Sequence, residues 1–260
     1  MIYTHDISPI LISIGFIDLY WYGAMYAISF ILIDYLMKKD NMNNNIFTIL
    51  LIDKILIVSL VSLLIGGRLG YVLFYNFNYY SENIHKIFFI WEGGMSFHGA
   101  LIGIMIGLFF ISIKEKIKFL NLTDFIVIYV PIGLFLGRIG NFINSELYGS
   151  PTESGWGVIF PLIDDAPRHP SMLYEALLEG LILFYILLML SKFKQKQGVL
   201  TSSFLIIYSV FRSSIELVRV PDIQIGYLYS NWLTMGMILS LPMFLAGITL
   251  LYFSIKGRIR

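Results

Sequence analysis

The sequence predicts an all-α integral membrane protein with about seven transmembrane helices. Hydrophobic residues occupy 57% of the 260 positions and charged residues only 13%, whereas soluble domains have about 45–50% apolar and about 25% charged residues. Apolar runs of about 20 residues, the length that spans a bilayer, also recur along the chain. We therefore expect residues 1–260 to form a single polytopic membrane domain.

Seven candidate helices follow one another in sequence. Their approximate ranges are 19–37, 46–66 with a possible continuation to 77, 95–113, 119–137, 171–191, 198–218 and 231–255. The polar and aromatic stretch 78–94 is interpreted as an exposed connection. Residues 150–170 contain four of the eight prolines and the pair Asp164-Asp165, a composition typical of a small extramembrane cap.

The basic residues predict the orientation, because cytoplasmic loops are enriched in lysine and arginine. With the N-terminus outside and the C-terminus in the cytoplasm, twelve basic residues lie on the inner side: Lys38, Lys39, Lys54, Lys114, Lys116, Lys118, Lys192, Lys194, Lys196, Lys256, Arg258 and Arg260. The outer side then has six: Arg68, Lys86, Arg138, Arg168, Arg212 and Arg219. The four tryptophans also fall on the outer side, as expected of an interfacial belt.

Residues 136–149, LGRIGNFINSELYG, place Arg138, Asn141, Asn144 and Glu146 directly after an apolar run. An ionisable residue at membrane depth costs roughly 2.5–3.5 kcal/mol and is by default a functional candidate. Arg138 and Asn141 are three residues apart, so they share one helix face. The Arg138 guanidinium matches the geometry of a phosphate group. The alternative is a structural salt bridge to Glu146 or Glu216.

Arg212, Glu216 and Arg219 form a second polar stripe, spaced i, i+4 and i+7. This stripe is either a self-neutralising ladder or, with Arg138, a pair of arginines that converge on one phosphate. His98, in GGMSFHGALIG, is either a packing residue or an imidazole that accepts a proton near neutral pH. Both interpretations stay open for each group.

Other polar residues are less specific. Glu175 and Glu179 are four apart on the fifth predicted helix, where a packing role and a site role are about equally expected. Arg68 is expected to line the same cavity or to reach the membrane interface. We expect His5 and His85 to be solvated and leave His169 open. Together these residues predict an outer-leaflet cavity suited to an anionic phospholipid head group, for transfer or for transport.

The motif LGRIGNFINSELYG closely resembles the signature of the prolipoprotein diacylglyceryl transferase family. Five further blocks resemble that family in the same order: WYGAMY, GGRLGYVLFYNF, WEGGMSFHGALIG, RHPSMLYEALLEG and FRSSIELVRVPDIQIG. The resemblance implies a bacterial inner-membrane enzyme with seven helices and no cofactor or metal. Its substrates would be phosphatidylglycerol and the lipobox cysteine of a preprolipoprotein, and its products a thioether-linked lipid and glycerol phosphate.

The resemblance also implies the site residues. They are Tyr22, His98, Arg138, Asn141, Glu146, Gly149, Tyr208, Arg212, Glu216 and Arg219. Ser145 stands where the signature commonly has glycine, and we expect it to crowd the turn slightly. The substrate supplies the acceptor cysteine, which fits a chain without cysteine.

Roles follow for several of these residues. A free thiol has a pKa of about 8.5, so a base or a positive field must favour the thiolate, and His98 is the candidate base. Arg138 and Arg212 would stabilise the departing phosphate, and Glu216 is grouped with them as catalytic. Asn141 and Glu146 would orient the head group or the arginines, while Tyr22 and Tyr208 would hydrogen-bond lipid oxygens. The alternative is a phospholipid or anion transporter that uses the same basic cavity, although the chain lacks the internal repeats typical of such proteins.

Overall fold

The computed structural model describes residues 2–15, 17–44, 46–89, 93–193, 195–221 and 226–257, with the side chains of 17, 43, 44, 97 and 98 also outside the description. Helices dominate. In chain order they are α1 (Trp21–Asn44), α2 (Ile49–Phe74), α3 (Phe77–Glu82), α4 (Phe97–Lys114), α5 (Phe119–Ile126), α6 (Val130–Ile143), α7 (Ser171–Glu175), α8 (Leu183–Ser191), α9 (Val199–Ile215) and α10 (Met235–Ile255). A 3-10 turn covers Ile84–Phe88, and a π-helical segment, Ala176–Ile182, joins α7 to α8.

Within the described ranges, three helical stretches are long and apolar enough to cross a membrane: Ile49–Phe74, Ser171–Ser191 and Met235–Ile255. Helices α5 and α6 provide a fourth if they count as one broken span. Gly99–Lys114 and Val199–Ile215 are shorter apolar helices. A mainly helical membrane protein is thus confirmed, whereas the seven-span count, the cap and the orientation of the termini stay predictions.

The predicted fourth helix is broken rather than continuous. Its two parts, α5 and α6, are bent by 45°, and Pro131 lies in the first turn of α6. Proline lacks an amide hydrogen and fits the first turn of a helix but not its interior. Arg138 and Asn141 therefore lie on a separate short helix that ends at Ile143, and Asn144 and Glu146 follow it.

Four short strands depart from the all-α expectation. β2 (Ile10–Ile14) and β3 (Ile17–Tyr20) form an antiparallel hairpin, and β1 (Ile2–Thr4) pairs in parallel with β4 (Gly157–Ile159). Such short strands are near the lower limit of strand length and leave too little alternation to recognise in the sequence.

His5 follows β1 and is buried, so the prediction that it is solvated was wrong. It is 5% exposed, and its main-chain amide donates to the Ile159 carbonyl at 2.9 Å. Its Nε2 lies 3.1 Å from the Ile143 carbonyl oxygen. Pairing of the N-terminal strand with β4 holds this histidine inside the protein.

The chain forms two compact units, residues 34–123 and residues 1–33 with 124–260. In the 34–123 unit, α2 and α4 pack through facing glycines. A Cβ on Gly70 would lie 2.7 Å from the Gly99 Cα, and a Cβ on Gly103 would lie 3.0 Å from the Gly66 Cα. Small residues four apart allow helix backbones to approach closely in membranes, so these four glycines fix this helix pair.

Arg68 lies on α2 in the same unit and is 3% exposed. Its guanidinium donates to the main-chain carbonyls of Lys86, Ile87, Phe89, Gly93 and Gly94. Its Cζ also lies 5.1 Å from the Tyr80 ring centroid. Of the two alternatives predicted for Arg68, extension to the membrane interface is therefore wrong, because its donors are occupied by the main chain of the connection between α2 and α4.

In the second unit, Asp124 determines where α9 begins. Its carboxylate accepts hydrogen bonds from the amides of Gly198 at 2.5 Å and Thr201 at 2.8 Å, and from the Thr201 hydroxyl at 2.6 Å. The first amides of a helix have no partner within it, so an acceptor there stabilises the helix start. Gly198 has a φ of 87°, a left-handed conformation that glycine adopts readily.

Candidate active site

The chain that follows α6 folds back on this helix. The chain turns through Ser145 and Leu147, whose φ angles are 57° and 59°. Glu146 consequently returns to Asn141, whose Nδ2 donates to Glu146 Oε2 at 2.9 Å. Arg138 Nη1 donates to Asn141 Oδ1 at 3.5 Å. The predicted polar residues thus form a chain from Glu146 through Asn141 to Arg138.

Two glutamates from the fifth predicted helix meet Arg138. Glu175 ends α7 and Glu179 lies in the π-helical segment, and both are 0% exposed. Arg138 Nε lies 2.8 Å from Glu175 Oε2, and its Nη2 lies 3.7 Å from Glu179 Oε2. The helices come this close because Gly180 has no side chain. A Cβ there would lie 2.7 Å from the Phe135 Cβ.

Helix α9 brings a second arginine to the same carboxylates. Arg212 donates from Nη1 to Glu175 Oε1 and from Nη2 to Glu216 Oε1. Arg219, beyond the end of α9, donates from Nη1 to Glu216 Oε1 at 3.1 Å. Glu175 is the centre of this arrangement, because its two oxygens face different arginines from different helices.

We call Arg138, Arg212, Arg219, Glu175, Glu179 and Glu216 the ion network. The arginine side chains are 16%, 11% and 8% exposed, and the glutamate side chains are 0%, 0% and 3% exposed. Buried charges are tolerated only when they are paired and hydrogen-bonded. Guanidinium groups that already meet around one anionic group have the geometry to accept another.

The structure changes the partners that the sequence suggested. The expected structural partner of Arg138 was Glu146 or Glu216, but the ion pairs that the structure describes are to Glu175 and Glu179. Convergence of Arg138 and Arg212 was anticipated, whereas Glu175 and Glu179 were left open between a packing role and a site role. The available signal was a pair of glutamates four residues apart in an apolar span, since both must face a polar interior.

Three other implied residues lie around the network. Tyr22 is on α1, and its hydroxyl lies 3.2 Å from that of Tyr26. Its ring packs against Gly140, where a Cβ would lie 2.9 Å from Tyr22 Cδ2. Tyr208 is 8% exposed and lies one helical turn before Arg212. Gly149 pairs with Arg219 in an isolated bridge, and a Cβ there would lie 2.6 Å from the His169 carbonyl oxygen.

His98 and His169 are the two histidines whose roles the sequence left open. The backbone of His98 lies in the first turn of α4, but its side chain lies outside the described residues. His169 Nδ1 is 3.2 Å from the Tyr174 hydroxyl. His169 and Tyr174 line a groove of about 260 Å³. The other lining residues are Trp156, Leu178, Ser214, Ile215 and Val218. No group of three or more His, Cys, Asp or Glu that could hold a metal ion occurs in the described ranges.

Apolar spanning helices that enclose paired guanidinium and carboxylate groups define a helical membrane protein with a buried polar site. Residues 9–253 match the family model described as prolipoprotein diacylglyceryl transferase. The chain therefore belongs to the prolipoprotein diacylglyceryl transferase family and is a transferase.

Similar proteins cover nearly the whole chain. It is 46% identical over 247 residues to a protein of Methylococcus capsulatus, with 94% of each chain covered. It is 45% identical to a protein of Buchnera aphidicola, with 96% of this chain and 97% of the relative covered. It is 42% identical to a protein of Nitratidesulfovibrio vulgaris, with 94% of each covered. All three relatives are named phosphatidylglycerol–prolipoprotein diacylglyceryl transferase.

Proposed function

We propose that this chain transfers the diacylglyceryl group of phosphatidylglycerol to the lipobox cysteine thiol of a preprolipoprotein. The products are a thioether-linked lipid and glycerol phosphate, and the reaction is the first step of bacterial lipoprotein maturation. The observation that carries the proposal is the convergence of Arg138 and Arg212 on Glu175, in a chain of this family. The names of the relatives favour transfer over the alternative of phospholipid or anion transport.

The two arginines would bind the phosphate of the donor lipid. Guanidinium groups bind phosphate oxygens bidentately and stay charged at any physiological pH. In a site this buried, their charge is screened weakly. The phosphate would join Glu175 as a second anionic partner of the two guanidinium groups, while Glu216 keeps Arg212 and Arg219 in place. Asn141 and Glu146 would orient the head group through Arg138, as their hydrogen bonds indicate.

The chemical step would be a displacement at the glyceryl carbon. The thiolate sulfur forms the new C–S bond while the C–O bond to phosphate breaks, and the electron pair leaves on the phosphate oxygen. Arg138 and Arg212 would stabilise the charge that develops there. The thiol proton must go to a base, for which His98 is the candidate. Tyr22, Tyr208 and Gly149 complete the proposed substrate-binding set.

The proposed location is the bacterial inner membrane, with seven spans, the N-terminus outside and the C-terminus in the cytoplasm. The cap, at about residues 150–170, and the ion network would then face the periplasm. Support comes from the distribution of basic residues, since twelve of the eighteen fall on one side of the seven predicted spans.

The test is a transfer assay with purified protein in detergent, phosphatidylglycerol labelled in the glyceryl carbons that carry the acyl chains, and a lipobox peptide. We expect label on the peptide in a bond that resists alkaline hydrolysis, as a thioether does, together with released glycerol phosphate. A peptide with serine in place of the cysteine is the control and should stay unlabelled. Movement of lipid between vesicles without any labelled peptide would contradict the proposal and favour transport.

The role of His98 needs a separate measurement. The variant His98→Gln should lose transfer near neutral pH and regain part of it as the pH rises toward the thiol pKa, because the thiolate then forms without a base. Activity equal to that of the wild type at pH of about 7 would exclude His98 as the base.

A further inference from the structure

We propose that Glu179 balances the charge of the site by taking up a proton when a phosphate group binds at Arg138 and Arg212. The proton would leave again when the phosphate leaves. Glu179 would thus be a positioning residue for the charged groups, without touching the reacting atoms. The inference rests on the proposed function only in that it uses the same phosphate site.

The position of Glu179 is unusual within the ion network. It is 0% exposed, and neither of its carboxylate oxygens accepts a hydrogen bond from any residue that the structure describes. Its nearest cations are Arg138 Nη2 at 3.7 Å and Arg212 Nη1 at 3.9 Å. Both distances exceed the range of about 2.7–2.9 Å that is typical of charge-assisted hydrogen bonds.

The other two buried carboxylates are held more firmly. Glu175 accepts a hydrogen bond from Arg212, and Glu216 accepts hydrogen bonds from Arg212 and Arg219. Protonation of either would replace an acceptor of charged donors by a hydroxyl group. Glu179 has no such hydrogen bond to lose, so it is the carboxylate whose protonation disturbs the network least.

Charge counting explains why a proton is needed. With every group ionised, the three arginines balance the three buried glutamates, and a bound phosphodiester adds one uncompensated negative charge. Such a charge is costly in a buried site, and arginine cannot adjust because it stays protonated. Glu146 is exposed, so its charge is screened by solvent. Protonation of one buried carboxylate restores neutrality.

The groups that face Glu179 come from three elements. Arg138 lies on α6, Arg212 and Tyr208 lie on α9 with Glu216 at its end, and Glu175 lies on the same helical stretch. The arginines remain charged and a tyrosine hydroxyl is neutral below about pH 10. Among the described neighbours, only the glutamates can change charge between about pH 5 and about pH 9.

Calorimetry of phosphatidylglycerol binding in detergent micelles, without acceptor peptide, tests the inference. The phosphodiester keeps a single charge over this pH range, so any proton uptake belongs to the protein. We expect the affinity to fall by up to about tenfold per pH unit as the pH rises through the titration. Comparing buffers with different ionisation enthalpies should show uptake that approaches one proton on the alkaline side.

The variant Glu179→Gln should bind with the affinity that the wild type reaches at acidic pH, and its affinity should not change with pH. Glutamine mimics the protonated carboxyl and has nearly the same size. The matched control is Glu153→Gln, which removes an exposed glutamate in the cap and should keep the pH dependence of the wild type. An equal pH dependence in wild type and Glu179→Gln would overturn the inference, and so would loss of binding at every pH by a folded variant.

A second measurement tests the inference without Glu179→Gln, in case that variant does not fold. Proton uptake by the wild type should persist in His98→Gln, which keeps Glu179. Uptake of no proton by the wild type, or its disappearance in His98→Gln, would overturn the inference. The proposed function is judged separately: a wild type that binds lipid but never labels the lipobox peptide contradicts it, whereas transfer with pH-independent binding contradicts only the role of Glu179.

Discussion

Arg68 and Arg138 are both arginines on apolar helices, but their partners differ in kind. Arg68 donates to five main-chain carbonyls in its own unit. Arg138 is paired with the side chains of Glu175, Glu179 and Asn141 in the other unit. Main-chain carbonyls cannot change charge or leave without unfolding the segment that carries them. Carboxylate side chains can rotate, titrate or exchange for another anion.

This difference separates Arg68, which holds the main chain, from Arg138, which we propose binds substrate, better than burial does. The sequence placed both arginines on the outer side and left Arg68 open between the same cavity and the membrane interface. The partners distinguish them, since only Arg138 keeps a charged partner that a substrate anion can join. Substitutions at Arg138 and Arg68 test this contrast.

The largest expected effect follows Arg138→Ala. Loss of one preorganised donor to developing charge typically costs about 10²–10³-fold in rate, and we expect transfer to fall at least that much. The protein should remain folded, because Glu179 can take up a proton and lower the unpaired charge. Labelling of the lipobox peptide measures the rate, and thermal unfolding followed by tryptophan fluorescence measures folding.

The variant Arg138→Lys sharpens this result. Lysine keeps the charge but lacks the planar fork, so its rate should lie between those of the alanine variant and the wild type. Wild-type rates in Arg138→Ala would refute the assignment of Arg138 to the transfer site.

The next largest effect is on stability, in Arg68→Met. Methionine fills part of the volume but leaves the buried carbonyls without their donor, and each such carbonyl costs about 1–3 kcal/mol. We expect the free energy of unfolding to fall by roughly 3 kcal/mol or more, while transfer per folded molecule stays within a few-fold of the wild type. Unchanged stability with lost transfer would break the contrast between the two arginines.

A smaller effect, of opposite sign, is expected for Ser145→Gly. Ser145 has a φ of 57°, and the left-handed conformation costs a residue other than glycine roughly 1–2 kcal/mol. Glycine should therefore raise the free energy of unfolding by about 1 kcal/mol. Transfer should be retained, because the turn that returns Glu146 to Asn141 is preserved. A lower melting temperature would contradict this prediction, because the serine side chain would then stabilise the protein by more than its left-handed backbone costs.

The smallest effect concerns the ion pair between Arg168 and Asp164, which is more exposed than the pairs of the ion network. The Arg168 guanidinium donates to both Asp164 oxygens and lowers the pKa of that carboxyl below its ordinary value of 3.8. A lowered pKa stabilises the protein above the ordinary value, and the contribution is lost as the pH falls through the lowered pKa. Melting temperatures of wild type and Asp164→Asn should therefore differ slightly at neutral pH and converge in acid. A gap that widens in acid would contradict this sign.

Much of the helical pattern was predictable, because apolar runs near 20 residues have few alternatives. The predicted continuation of the second helix past Gly66 is confirmed by α2, which ends at Phe74. The break before α6 was missed although Pro131 marks it. The pairing of β1 with β4 joins residues more than 150 positions apart, and hydropathy along the chain contains no signal for such a contact.

The candidate site shows the same division. Arg138, Arg212 and Glu216 were singled out because charge in an apolar segment is costly, and the structure brings them into one network. The central place of Glu175 depends on how α6, the π-helical segment and α9 cross. A sequence records which residues are polar, but three helices must be positioned in space before one carboxylate can be seen between two arginines.

The Asp124 carboxylate at the start of α9 has a mechanical consequence for residues far along that helix. An α-helix makes one turn in 3.6 residues and rises 1.5 Å per residue, so a slip by a single position would rotate Arg212 by roughly 100° about the helix axis. Asp124 grips the amides of Gly198 and Thr201, eleven residues before Arg212 when counted from Thr201. Asp124 thereby fixes the rotation of α9 about its axis, and this rotation directs Arg212, near the other end of the helix, toward Glu175.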